Sequence, residues 1–139
     1  MSDKLTGGCL CGAVRFEADG DPLFSSNCHC RDCQRVSSGA YLPVMGFPVG
    51  AVHVHGTVKT FQRRADSGAS VSISFCPECG AHLFAKADAL QGVLLLHAGV
   101  LDDPSLYNPQ LDIFTASAQP WDHMDPSLPK FPKMPPLVG

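Results

Sequence analysis

The stretch Ser70-Val71-Ser72-Ile73-Ser74-Phe75-Cys76-Pro77-Glu78-Cys79-Gly80 carries the reading that decides the fold. Its first half alternates serine with Val71, Ile73 and Phe75, the period of a strand with one buried and one wet face. Its second half sets two cysteines with two residues between them directly after that strand, so that both sulfurs turn into one tetrahedral metal site from a tight turn. Pro77 fixes the first turn angle, and Gly80 accepts the positive φ with which the chain leaves the metal. A strand that ends in a two-cysteine knuckle predicts a small β fold stapled by metal.

The same alternation recurs upstream, where Val14, Phe16 and Ala18 interleave with Arg15 and Glu17. Further extended segments are predicted at 23–26, 41–45, 52–55, 58–63, 83–85, 93–98 and 111–115. Turn signals at Asp19-Gly20-Asp21-Pro22, Ser67-Gly68, Asp102-Asp103-Pro104 and Asn108-Pro109 separate them. No long helical period competes, so the expectation is a mainly β protein built from several antiparallel sheets. Six of the twelve prolines lie at or beyond Pro120, which predicts an extended tail at about 120–139 that runs over the surface without a core of its own. Trp121 is expected to pack that tail onto the sheet.

With 139 residues the chain is sized for one domain, 1–139, around one core. A hydrophobic share of 45% with 17% charged residues is ordinary for a compact protein, and a net charge of -3 supplies no electrostatic reason to expect nucleic acid. The longest aliphatic run, Val93-Leu94-Leu95-Leu96, is far short of the roughly 20 apolar residues of a membrane helix. Met1 to Gly8 contain no apolar stretch, so a secretory signal is not expected and the expected location is the cytoplasm. In that reducing compartment closely spaced cysteines point to metal or redox chemistry rather than structural disulfides.

All seven cysteines fall into three clusters: Cys9-Leu10-Cys11, Cys28-His29-Cys30-Arg31-Asp32-Cys33, and the Cys76–Cys79 knuckle. One knuckle supplies two ligands, and Cys9 and Cys11 are its natural complement. That leaves Cys28, Cys30 and Cys33, three thiolates with no fourth cysteine. Four thiolates close a structural zinc site, whereas three leave a coordination position open for water or substrate. A competing partition lends a ligand from another cluster to the middle one. An iron–sulfur cluster fits the spacings poorly, and a labile disulfide within the middle cluster is the redox alternative. His29 is expected to point away from the metal, because neighbouring side chains alternate in an extended segment.

These residues, in this order, resemble the glutathione-dependent formaldehyde-activating enzyme family, also called the centromere protein V family. The resemblance spans nearly the whole chain. Its carriers are Gly8-Cys9-Leu10-Cys11-Gly12-Ala13-Val14, Cys28-His29-Cys30-Arg31-Asp32-Cys33, Phe75-Cys76-Pro77-Glu78-Cys79-Gly80, Gly99-Val100-Leu101-Asp102-Asp103-Pro104 and Pro120-Trp121. It implies an Mss4-like fold and two zinc ions, a structural one held by Cys9, Cys11, Cys76 and Cys79 and a catalytic one held by Cys28, Cys30 and Cys33. It also implies carbon–sulfur lyase chemistry on a small thiol adduct such as S-(hydroxymethyl)glutathione.

Zinc suits such a task, because a coordinated thiol is deprotonated outright. A proton must also move to or from the hydroxymethyl oxygen, and Asp32, Glu78, His29 and His82 are the candidates by proximity in sequence. His53 and His55 share one face of a strand and are expected at the surface. Arg31, Arg35 and Lys59 are basic residues available to a peptide carboxylate. The rival reading is a non-catalytic module in which both metals only hold a small binding domain together. Methionine sulfoxide reduction on a related fold would need a cysteine outside the metal clusters, and none is left.

Overall fold

The computed structural model describes residues 4–65 and 67–135. The last four positions of the expected tail and the first three of the amino-terminal segment lie outside the described residues. Contacts group the chain into two compact units, Met1–Phe24 with Met45–Tyr107 and Ser25–Val44 with Asn108–Gly139.

The first unit holds two antiparallel sheets. Strands β1 (Leu5–Gly8), β2 (Arg15–Ala18) and β5 (Val52–His55) form one, with β2 in the middle. Val14, Phe16 and Ala18 are buried, as the alternation predicts. His53 and His55 stand on the exposed side of β5, facing the carboxylates of Asp19 at 3.1 Å and Glu17 at 3.8 Å. The second is a meander of β6 (Lys59–Arg64), β7 (Ser70–Phe75), β8 (His82–Ala87) and β9 (Val93–His97). Along β7, Val71 and Ile73 turn inward as expected, but the register shifts between Ser74 and Phe75. Ser74 is consequently buried and Phe75 only half-buried. The Ser74 hydroxyl meets Thr60 Oγ1 across the strand pair at 3.1 Å, which satisfies it.

The core of this unit gathers Phe16, Met45, Phe47, Leu83, Leu94, Leu96, Ala98 and Leu101 around the buried Cys9 and Cys76. Each of the larger side chains gains roughly 1.5–3 kcal/mol from leaving water, so two metal-ligand candidates are seated in the best-packed part of the unit. The Gly99–Pro104 motif has a structural reading here. Asp102 accepts from Arg15 Nη1 at 3.0 Å, Arg15 Nη2 at 2.5 Å and Thr6 Oγ1 at 2.8 Å, and Asp103 caps a short 3-10 turn through Ser105.

Strand β4 (Leu42–Pro48) carries the chain out of the second unit and into the first. The second unit contains β3 (Phe24–Cys28) from Ser25 onward, the helix α1 (Arg31–Ser37), β10 (Leu111–Ile113) and β11 (Lys130–Phe131). Here the pairing is parallel, β3 with β10 and β10 with β11, where the sequence predicts antiparallel partners. Parallel pairing needs a long crossover, and no turn signal in the sequence reports one. Cys28, Cys33, Leu42, Val44 and Ile113 form its core, with Phe114 and Phe131 packed against it. Among the described residues the proline-rich segment is largely exposed and broken by turns at 120–121 and 126–127, yet it contributes β11 and Phe131. Trp121, expected to pack, is 59% exposed; its neighbour Asp122 takes the buried position instead.

No helix of the described residues is long and apolar enough to cross a membrane. At the end of β9, burial above all pushes the His97 imidazole down to about 4, with the charge of His82 in support and the His82 main chain opposing. Neither ring nitrogen makes a hydrogen bond of good geometry among the described residues. The unfolded chain takes up this proton near pH 6.5. Stability owed to the neutral ring is therefore complete above about pH 6.5 and drains away as pH falls towards about 4. In denaturant titrations across that window, wild type is predicted to lose up to about 3 kcal/mol more than His97→Leu; equal pH slopes would contradict this assignment.

Candidate functional site

Two loops of matching design bring four sulfurs together in the first unit. Cys9-Leu10-Cys11-Gly12 joins β1 to β2, and Cys76-Pro77-Glu78-Cys79-Gly80 joins β7 to β8. Each closes on itself through the main chain. Cys9 N–H donates to Val14 O at 3.0 Å and Gly12 N–H to Cys9 O at 3.3 Å, while Cys76 N–H donates to Ala81 O at 3.0 Å and Gly80 N–H to Cys76 O at 2.9 Å. Gly12 at φ 84° and Gly80 at φ 79° supply the left-handed step that strains any other residue.

The sulfurs of Cys9 and Cys11 are 3.6 Å apart and those of Cys11 and Cys76 are 3.7 Å apart, and all four lie within 4.8 Å of one another. A tetrahedron with zinc–sulfur bonds of about 2.3 Å has sulfur–sulfur edges of about 3.8 Å, so the donor set fits the ion. Main-chain N–H groups point at the sulfurs, from Val14 to Cys9 at 3.2 Å, and from Glu78 and Cys79 to Cys76 at 3.4 and 3.5 Å. None of the cysteines is in a disulfide.

Electrostatics points the same way. Desolvation pushes the Cys9 thiol up, but the Val14 N–H and the neighbouring sulfurs outweigh it and bring it down to about 6. The main chain of Ala13 pulls Cys11 down, yet Cys9, desolvation, Cys76 and Cys79 together carry it to about 12. Cys79 is lowered, first by the main chain at Ala81. Without a cation the cluster supports only part of its negative charge; a divalent ion lets all four ionise.

The second unit assembles the other three sulfurs within 4.8 Å. Cys28 ends β3, Cys30 caps α1, and Cys33 lies in that helix's first turn, donating its N–H to Cys30 Sγ at 3.3 Å. Cys28 and Cys33 are buried and Cys30 is half-buried. Contact with Cys30 pushes the Cys28 thiol up to about 12, and contact with Cys28 and Cys30 pushes Cys33 upward still more strongly. Among the described residues no fourth cysteine, histidine or carboxylate joins this set. The donors are thus those of a three-thiolate site with an open position.

His29, between two of these cysteines, points elsewhere, as alternation along an extended segment requires. Its ring is completely buried. Nε2 meets Asp112 Oδ1 at 2.8 Å and Nδ1 meets Asp122 Oδ2 at 2.5 Å. Both contacts are satisfied when the ring carries both N–H protons. Desolvation raises Asp112, but hydrogen bonds from His29, Lys130 and Asn27 hold it below the usual carboxylate range. His29 therefore has no nitrogen left for a substrate. Asp32 lies in the first turn of α1 with a side chain 40% exposed. Glu78 is exposed in the four-cysteine knuckle, and His82 packs edge-on against Phe75. Arg31, Arg35 and Lys59 are exposed, with Arg31 bonded to Gln34. Sequence reasoning missed Asp112, Asp122 and Gln34; none carries a local motif, Gln34 follows Cys33 in α1, and the two aspartates reach the site only through the pairing of β10 and the course of the tail.

If a metal ion held by these four sulfurs fastens the first unit, removing one of them should cost that unit its fold. Cys79→Ala is predicted to lack a cooperative thermal transition by circular dichroism, since the binding free energy of a structural metal is folding free energy. A soluble, cooperatively melting variant would refute the assignment.

Residues 4–117 match the sequence model described as glutathione-dependent formaldehyde-activating enzyme. Among solved structures, the crystal structure of a Rhodobacter sphaeroides protein aligns with a TM-score of 0.57 at 19% identity, covering 75% of this chain and 91% of that chain; at that identity the likeness concerns the fold alone. The mainly β architecture is the Mss4-like one of the matched family. With the cysteine clusters in place and most of the chain, residues 4–117, matching the family model, this chain belongs to the glutathione-dependent formaldehyde-activating enzyme family.

Proposed function

We propose that the chain is a zinc-dependent carbon–sulfur lyase acting on a small thiol adduct, S-(hydroxymethyl)glutathione being the model substrate. The three-cysteine cluster is the reactive centre and the four-cysteine cluster the structural one. The observation that carries this reading is the unequal donor count, four sulfurs in one unit and three in the other. Four complete a tetrahedron, and three leave a place for an incoming sulfur. Family membership supports glutathione and formaldehyde as the chemical setting, and a reducing cytoplasm is the compartment that keeps these thiols free.

Zinc held by Cys28, Cys30 and Cys33 would stabilise a thiolate at the open position, and three anionic sulfur ligands suit it to exchanging soft sulfur rather than to generating hydroxide. The reaction then balances simply. In the breaking direction the carbon–sulfur bond leaves its electron pair on sulfur, the carbonyl forms, and the hydroxyl proton departs; in the forming direction each change reverses. The buried cysteines Cys28 and Cys33 fix the site from within, while half-buried Cys30 forms its accessible side. His29, with both nitrogens held by carboxylates, takes no part in the proton movement.

The test is Cys30→Ala. It is predicted to lose one metal of two and all measurable turnover of the thiol adduct, while the chain still folds and melts cooperatively. Turnover like that of wild type would sink the proposal, and a wild-type protein that binds both metals yet fails to turn over any hydroxymethyl thiol would favour the binding-module reading.

A further inference from the structure

We propose that His29, gripped between Asp112 and Asp122, is the positioning residue of the three-cysteine centre, and that the carboxy-terminal segment is thereby part of that centre. The inference rests on Cys28, Cys30 and Cys33 being metal ligands, but not on the reaction assigned to them.

Every polar atom of His29 is engaged. Its N–H donates to Ile113 O at 2.9 Å, and its carbonyl accepts from Gln34 Nε2 at 2.7 Å. Its two ring nitrogens are taken by Asp112 and Asp122, and its ring lies against Tyr41 with centroids 5.2 Å apart. The residues on either side are Cys28 and Cys30. In extended backbone a residue fixed on one face dictates where its neighbours point on the other. The grip on His29 therefore sets the direction of two of the three sulfurs without touching the metal.

The partners come from distant chain. Asp112 is delivered by β10, whose register opposite Cys28 and Asn27 is fixed by pairing with β3. Asp122 comes from the tail, beyond the 4–117 span that matches the family model. The tail is laced to the same cluster by Lys130, whose ammonium donates to Asp112 Oδ2 at 3.1 Å, Asp125 O at 2.6 Å and Leu128 O at 3.1 Å. Gln34 Nε2 also donates to Ser117 O at 3.0 Å. Asp122 Oδ1 is buried and makes no hydrogen bond among the described residues. A carboxylate that gives up water for a single side-chain partner is costly to keep, and that partner is His29.

The experiment follows zinc release, so its outcome does not depend on turnover. Full-length zinc-loaded protein is mixed with a chromogenic chelator, and the release of each equivalent is timed for wild type, Asp122→Asn, His29→Gln, Asp122→Glu and, as a control outside the grip, Asp125→Asn. In Asp122→Asn and His29→Gln one equivalent is expected to leave at least roughly tenfold faster, with the other unchanged. Asp122→Glu, which keeps the carboxylate, should recover part of the loss, and a double variant carrying both Asp122→Asn and His29→Gln should release no faster than the worse single one. Cobalt-loaded protein should show altered sulfur-to-metal absorption for one ion of two. Wild-type release rates in both variants would overturn the proposal. So would equal acceleration of both equivalents with a lowered melting temperature, the signature of general loosening. A wild-type chain that takes up only one metal after reconstitution would overturn it together with the metal reading; two metals without lyase turnover would sink only the reaction.

Discussion

Two pairs of sulfurs from distant parts of the chain meet at 3.7 Å between Cys11 and Cys76, 65 residues apart, in a set of four that could hold a metal ion. The apolar core seats Cys9 and Cys76, and left-handed glycines let both loops turn back on themselves, but packing alone would leave partly charged thiols crowded together. A metal ion bound to all four sulfurs would turn that conflict into a cross-link between the β1–β2 and β7–β8 turns. The meander and the three-stranded sheet are both short-stranded structures, and a bond of this kind would tie their ends together beside the apolar core that buries Cys9 and Cys76.

The second cluster uses the same donors to a different end. Its sulfurs sit at the junction of a strand and a seven-residue helix, a helix too short to be stable by propensity alone. Cys30 caps it and Cys33 lies in its first turn, so a metal bound there also secures the helix. With three sulfurs rather than four, the cluster has an unfilled corner, and the surrounding hydrogen bonds are spent on holding the ligand segment still rather than on closing that corner. The proposed division between a structural and a reactive centre rests on this contrast between a closed and an open set of identical ligands.

Much of this is legible in the sequence for physical reasons. A cysteine pair with two residues between its members after an alternating strand specifies both the knuckle and the strand, and the buried places of Val14, Phe16, Ala18, Val71 and Ile73 follow from the same period. What escapes is long-range. The parallel pairing of β3, β10 and β11 leaves no turn signature, and α1 is too brief to show a period. Trp121, whose bulk predicts packing, is exposed because Asp122 beside it is drawn inward by a histidine 93 residues earlier. A lone aspartate in a proline-rich tail gives no hint of such a partner, and neither does Asp112. The alternation rule does place His29 away from the metal, but only the fold reveals what it faces instead.

Two metal centres on one chain, one closed and one open, are the claim on which everything else turns. The most direct test is native mass spectrometry of protein purified without chelator or added metal, weighed alongside the denatured, reduced chain. The expected result is a mass excess of two zinc ions with all seven cysteines in the thiol or thiolate state. A single zinc ion, or a disulfide among Cys28, Cys30 and Cys33 in the freshly reduced protein, would contradict it.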